Sequence, residues 1–320
     1  MNVIWNFLAR FRIPGLMTIG IFIMILFNSS NSFEIQKYSF VKMWGSKGTD
    51  IGEFNYPHSI ATDSVGNVYV TDKNNNRVQK FSQDGTFITM WGSKGSADGQ
   101  FLYPEGIDLD SFGFVYVADT HNSRIQKFTG NGTFITKWGS EGSRDGQFSR
   151  HAHGVNIDKS NNVYVVDRDE SRIQKFSNNG SFILKWGSNG SGDGQFNRPH
   201  SSATDSSGNV YVSDMFNFRI QKFTSNGTFI SKWRLHGLAD GQFMRPAGIK
   251  TDALSNIYVI DMLNSSIQKF TGNGTFISEW RLNVSTTSNA TRAEDMDVNS
   301  FGNIYAVDVG NSRIQEFNLN

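Results

Sequence analysis

Three histidines and two glutamates fall at one recurring position of this chain: His58, Glu105, His153, His200 and Glu294, with Ala247 at the remaining copy. The intervals are 47, 48, 47, 47 and 47 residues, so a fold that repeats the unit around an axis turns these side chains toward one centre. Neutral imidazole nitrogens and carboxylate oxygens are ligand types for zinc and other divalent ions, and His58, His153 and His200 are the candidate metal ligands. His151, two residues before His153, could assist. An imidazole must be neutral to coordinate, so binding is expected to weaken as pH falls through about 6.5, the free histidine value. The gap at Ala247 gives the set a direction: an ion or ligand would lie toward His153 and His200, with the Ala247 side open for a substrate or a protein loop. The alternative is a slot that tolerates any polar residue, its side chains merely hydrated. No nucleophile or general base stands out beside the set, and no catalytic residue is assigned.

The unit that carries these residues is marked by Trp44, Trp91, Trp138, Trp186, Trp233 and Trp280, and a fixed period of this size signals a solenoid, propeller or array. In one copy, Glu105 to Asp110, Val115 to Asp119, Arg124 to Phe128 and Thr133 to Trp138 are short, rich in β-branched and aromatic residues, and bounded by turn formers, which predicts four strands. Gly130-Asn131-Gly132, matched by Asp84-Gly85, Asn179-Gly180, Asn226-Gly227 and Asn273-Gly274, supplies the positive φ that a tight hairpin requires. No window has a 3.6-residue apolar period, which excludes a helical solenoid and leaves a four-stranded propeller blade. First strands at His58, Glu105, His153, His200, Ala247 and Glu294 predict six blades and place the chemistry at one mouth of the central channel.

Pro104-Glu105-Gly106-Ile107, Val115-Tyr116-Val117-Ala118-Asp119 and Asn122-Ser123-Arg124-Ile125-Gln126-Lys127-Phe128 resemble the NHL repeat, and the resemblance extends over residues 33–320. The Gly-His and Trp-Asp pairs of WD40 repeats and the double glycine of kelch repeats are not the pattern here. The resemblance implies an all-β, six-bladed propeller. It leaves function open, because the family includes RNA-binding and protein-binding modules, sensor domains of membrane kinases, and peptidyl-α-hydroxyglycine α-amidating lyase, a propeller that holds zinc with histidines at its channel. The other catalytic residues of that lyase have no match assigned here.

The ends of the chain complement each other. The last copy stops after Arg313 to Phe317 without a fourth strand, while Phe40 to Trp44 reads as a fourth strand without its hairpin, so residues 40–44 are expected to complete the last blade and remove an open edge. Residues 1–32 hold Arg10 and Arg12, no acidic residue and the apolar run Ile13 to Phe27, which predicts a signal peptide or membrane anchor with the propeller, residues 33–320, exported. The propeller itself carries 28 basic and 29 acidic residues and no cysteine, a balance that excludes a polybasic nucleic-acid surface, disulfides and thiolate sites.

Features present in every blade are read as structural, since a site seldom needs six copies. Asp72 with Arg77, Asp119 with Arg124, Asp167 with Arg172, Asp214 with Arg219 and Asp308 with Arg313 are expected to pair, whereas Asp261 faces Ser266 in the fifth copy. Phe54, Phe101, Phe148, Phe196 and Phe243 are expected to pack between blades. Of the Asn-x-Ser/Thr sequons, Asn283 and Asn289 are the glycosylation candidates, because their segment replaces the Gly-rich loop. The functions these features support are a monomeric extracytoplasmic binding or scaffold module for a protein or small ligand, attached to a membrane or secreted, and, as the alternative, a divalent-metal-dependent lyase or hydrolase at the His/Glu mouth.

Overall fold

In the computed structural model, which describes residues 38–234, 236–283 and 292–319, the strands alternate along the chain and pair into six antiparallel sheets of four. The strands are numbered β1 to β24 in chain order. The innermost strand of each sheet is β2 (Pro57–Thr62), β6 (Pro104–Leu109), β10 (Ala152–Ile157), β14 (Pro199–Thr204), β18 (Pro246–Thr251) or β22 (Ala293–Val298), and each pairs with the Val- and Tyr-rich strand that follows it. This is a six-bladed propeller, as the repeat count predicts. The residues assigned to a signal or anchor lie outside the described residues, among which no helix is long and apolar enough to cross a membrane.

The core lies between blades. Phe101 of the loop entering the second blade is fully buried with Ile107, Val115 and Val117 of that blade and Ala61, Tyr69 and Val78 of the first. Phe54, Phe148, Phe196 and Phe243 occupy the same place at other junctions. The loop entering the sixth blade has no such Phe, and Leu282 is buried at that junction instead. Each buried aromatic or Leu side chain contributes about 1.5–3 kcal/mol. At the rim, the hairpin glycine has a second duty: Gly132 has φ +87°, and a Cβ there would lie 2.5 Å from the ring of Trp91, in the preceding blade. Only the second Gly of Gly130-Asn131-Gly132 has positive φ, and Gly132 donates its N–H to the Thr129 carbonyl, so the loop is a three-residue turn with the left-handed residue last.

The last blade is closed by β1 (Tyr38–Trp44), which pairs antiparallel with β24 (Arg313–Leu319) in the register Phe40↔Phe317 to Trp44↔Ile314. Two side chains outside the repeat pattern suit this junction. Lys42 lies 3.3 Å from Glu316, which stands where the other blades have a lysine, and Tyr38 stacks on Trp280 at 4.4 Å where no hairpin glycine is available.

The repeated acids and arginines pin the loop that enters each blade. Arg124 Nε donates to Asp119 over 2.7 Å, and its Nη atoms donate to the carbonyls of Ser96, Ala97 and Gln100. Gln126 and Asn122 add bonds from the same blade to Asp119 and to the loop carbonyls of Gln100 and Gly95. The pairs Asp72–Arg77, Asp167–Arg172, Asp214–Arg219 and Asp308–Arg313 close to between 2.7 and 2.9 Å. Asp261 instead accepts the backbone N–H groups of Met244 and Arg245. Asn283 is exposed at its side chain, and Asn289 lies outside the described residues.

Two outcomes follow from this architecture. A chain beginning at Gly45 should aggregate, or melt about 10 °C or more below one beginning at Phe33, since a loss of several kcal/mol moves Tm by roughly 2–4 °C per kcal/mol in large domains; equal melting temperatures would show that β1 is dispensable. Asp119→Ala leaves the Arg124 guanidinium buried without its acid and should cost about 3–5 kcal/mol in urea unfolding. Asp261→Ala should cost less, and the reverse order would contradict the role given to the pair.

Candidate metal centre

The inner strands share one irregularity, and it builds the site. Opposite the second strand, Pro57 pairs with Asp72 but Ile60 pairs with Val70, so one extra residue is accommodated at His58-Ser59. The same bulge falls at Glu105-Gly106, His153-Gly154, His200-Ser201, Ala247-Gly248 and Glu294-Asp295. A bulge re-aims side chains; here two successive residues per blade line the axis. The crowding this creates is met by glycine, since a Cβ on Gly106 would lie 2.3 Å from the His153 carbonyl oxygen.

His58, His153 and His200 each bring one ring nitrogen to within 4.8 Å of the other two. Glu105 and Glu294 lie between them. His58 Nε2 is 3.6 Å from Glu294 Oε1 and 4.0 Å from Glu105 Oε1, His200 Nε2 is 3.4 Å from Glu294 Oε1, and His153 Nε2 is 3.5 Å from Glu105 Oε2. His153 Nδ1 donates to the His200 carbonyl over 2.8 Å, which fixes the tautomer and leaves Nε2 as an acceptor with no hydrogen-bond partner. Nitrogens bonded to one tetrahedral zinc at about 2.0–2.1 Å are roughly 3.3 Å apart, so ring rotations on the order of 1 Å would close the set.

All five side chains are at least 95% buried, so they lie one layer below the mouth and are not a hydrated fringe. Burial pushes the imidazoles of His58, His153 and His200 well below the usual histidine value and keeps them neutral at pH 7. Burial alone would raise Glu105, but positive charge beside it, on His153 and His58 when those rings are protonated and on the Lys73 ammonium, holds its carboxyl well below the usual range. With the imidazoles neutral, Lys73, 2.6 Å from Oε1, is the charge that keeps Glu105 ionised. Arg292 Nη2 lies 3.2 Å from Glu294 Oε2.

Two expectations are corrected. His151 turns away to Asp169 and is half-exposed, so it is no ligand of this centre. The Ala247 sector is not open: Ala247 is fully buried in an apolar cluster with Met215 and Met262, which follow the repeated Asp where the first blade has Lys73.

Beneath the imidazoles a cavity of about 10 Å³, room for about one water, is lined by Ser59, Lys250 and Asp295 as well as the three rings. Ser59 donates to Asp295, and Lys250 lies 3.3 Å from Asp108 and 3.6 Å from Asp297. Burial pushes Asp295 up to about 7, while Asp108, Asp297 and Asp295 outweigh burial and hold Lys250 above its usual value. Sequence reasoning missed this floor and the charges over the mouth. The signal was available three residues after His58, where the copies read Ala61, Asp108, Asn156, Ala203, Lys250 and Asp297, and two residues before it, where they read Tyr56, Tyr103, His151, Arg198, Arg245 and Arg292.

Residues 54–81 and 101–128, in the first two blades, match the NHL repeat family. NHL repeat-containing protein 3 of Homo sapiens is 45% identical over 47 residues, 14% of this chain and 14% of that protein, and the Mus musculus protein matches equally. The alignment thus spans about one seventh of the curated relatives. A streptogramin B lyase structure superposes with a TM-score of 0.63 at 13% identity, covering 88% of this chain and 98% of that one. A gluconolactonase from Xanthomonas campestris gives 0.63 at 12% identity, covering 84% and 88%. At such identities the likeness is one of fold. The chain thus folds as a six-bladed β-propeller whose first two blades match the NHL repeat.

Proposed function

We propose that the protein holds a divalent ion, zinc foremost, on the propeller axis through His58, His153 and His200, and that a small ligand or protein segment meets it through the mouth above. The observation that carries this reading is the convergence of three buried, neutral imidazoles with their ring nitrogens within 4.8 Å of one another. Such an ion would supply Lewis-acid polarisation of a ligand oxygen. The chain's own part is to orient His153 through the His200 carbonyl, to keep Glu105 ionised through Lys73, and to exclude bulk water from the centre. Lyase or hydrolase chemistry is the catalytic use of such a centre, in keeping with the lyase and lactonase propellers of similar fold.

A second reading, a binding scaffold that works through its loops without an ion, is favoured by the narrow space at the centre, about 10 Å³. Either use fits an exported protein, secreted or held at a membrane by residues 1–32, with a protein or small-molecule partner. RNA binding is disfavoured by a propeller charge near neutrality.

Elemental analysis of the purified protein separates the readings. Zinc near one equivalent, lost in His153→Ala and with a Tm that rises on zinc addition, supports the metal centre; folded protein that takes up no divalent ion leaves the scaffold.

The depressed imidazole values also change the expected pH dependence. Because the folded histidines stay neutral below about 6.5, zinc affinity should hold at that pH and fail only lower. The metal-free protein should behave differently: as pH falls below about 6.5 the unfolded chain takes up protons that the native rings do not, so stability declines at up to about 1.4 kcal/mol per pH unit for each ring until the folded values are reached. Unfolding from pH 7.5 to 5 should therefore be flatter in His58→Gln/His153→Gln/His200→Gln than in the wild type, and equal slopes would remove the claim that these rings are buried neutral.

A further inference from the structure

The mouth above the imidazoles is divided into two unlike arcs. Tyr56, Tyr103 and His151 stand two residues before the axial positions of the first three blades, and Arg198, Arg245 and Arg292 hold the same place in the last three. His121 packs its ring 4.8 Å from Tyr103 and 5.7 Å from His151, which extends the aromatic arc. On the opposite arc a single half-buried ring, Phe216, carries two guanidinium groups, Arg245 at 5.0 Å and Arg198 at 5.8 Å from its centroid.

Two like charges held on one ring repel each other, and a fixed pair of guanidinium forks is suited to a bidentate anion. Two other cations of this mouth are already matched, Lys73 by Glu105 and Arg292 by Glu294. Arg198 and Arg245 are not, since among the described residues neither has a carboxylate within 4.0 Å. A second observation points to the same place from below. His58 Nδ1, His153 Nε2, His200 Nδ1 and Arg292 Nε are buried without hydrogen-bond partners, and the three histidines are at least 95% buried.

We propose that the mouth binds a small aromatic acid, a carboxylate or a phosphate monoester. Arg198 and Arg245 grip its anion beside Phe216, and its ring lies against the arc of Tyr56, Tyr103 and His121. The proposal rests on the reading of this mouth as the ligand entrance to the imidazole centre, and it names the class of ligand. The guanidinium clamp does not itself require the ion.

Isothermal titration of the zinc-loaded and zinc-stripped protein with benzoate, phenyl phosphate and neutral benzamide, at matched ionic strength, tests this. At least one of the two anions should bind saturably, benzamide should not, and Arg198→Gln and Arg245→Gln should each weaken the anion about 10-fold or more, or about 1.4 kcal/mol. Arg198 is exposed, so its variant is not expected to perturb folding, and Phe216→Leu, which removes the shared ring, should weaken binding as well. Which anion binds identifies the acid. Failure of both anions, equal binding by the variants, or equal binding of benzamide overturns the proposal. Anion binding in a protein that takes up no zinc removes the metal centre and leaves this site standing, whereas zinc uptake without anion binding removes this site alone.

Discussion

Closing six blades around one axis crowds the inner strands, and the rest of the structure accommodates that crowding. Each inner strand carries a bulge at its axial end, so two consecutive side chains face inward where a regular strand would present one. The channel has room for little else. Gly106 and Gly154 are small because a neighbouring backbone lies where their Cβ would be, and Gly248 is small because Asp295 occupies that space. The imidazole centre is thus a consequence of ring closure: His58, His153 and His200, 95 and 47 residues apart in sequence, become neighbours because the fold leaves them nowhere else to go.

The outer parts of each blade keep this crowded axis in place. The Asp, Arg, Asn and Gln network ties the incoming loop to its blade, and that loop delivers the Phe that fills the junction. Where the sequence departs from the repeat, a different residue answers the same need. Leu282 stands in for the missing Phe, the Arg245 backbone N–H adds a second such bond at Asp261 where the Arg is missing, and Tyr38 stands in for the missing hairpin at Trp280. Such substitutions cluster at the junction of the fifth and sixth blades, beside the place where the two chain ends meet. That junction is where repetition cannot be perfect, because one blade must be assembled from both ends of the chain.

The periodic features were legible in the sequence because period is what sequence records directly. Strand number, hairpin glycines, the buried Phe and the Asp–Arg pairs each recur with their own neighbours, so a local reading finds them. The convergence of His58, His153 and His200 was also legible, from the single premise that repeats close into a ring. The bulge was not, since nothing in Pro-His-Ser-Ile distinguishes a bulged strand from a regular one, and with it Ser59 and Asp295 escaped notice. The Ala247 sector was misread for a related reason. An alanine in a polar ring suggests a gap, but Met215 and Met262 come from the turns after the second strands, and only the folded arrangement brings them against Ala247.

The electrostatics of the axis then decide what the centre can do. Charges buried here are matched: Lys73 with Glu105, Arg292 with Glu294, Lys250 with Asp108 and Asp297. Breaking any of these pairs would leave an uncompensated buried charge, which costs several kcal/mol. The imidazoles are the exception, neutral and only loosely held, His58 and His200 by the long contacts to Glu294 and His153 by one firm bond to a carbonyl. A dication entering between them would therefore displace weak contacts of neutral groups and leave the strong charge pairs intact. Its own charge would be screened by Glu105 and Glu294 at close range, and the unmatched arginines above would favour an anion as the next component to arrive.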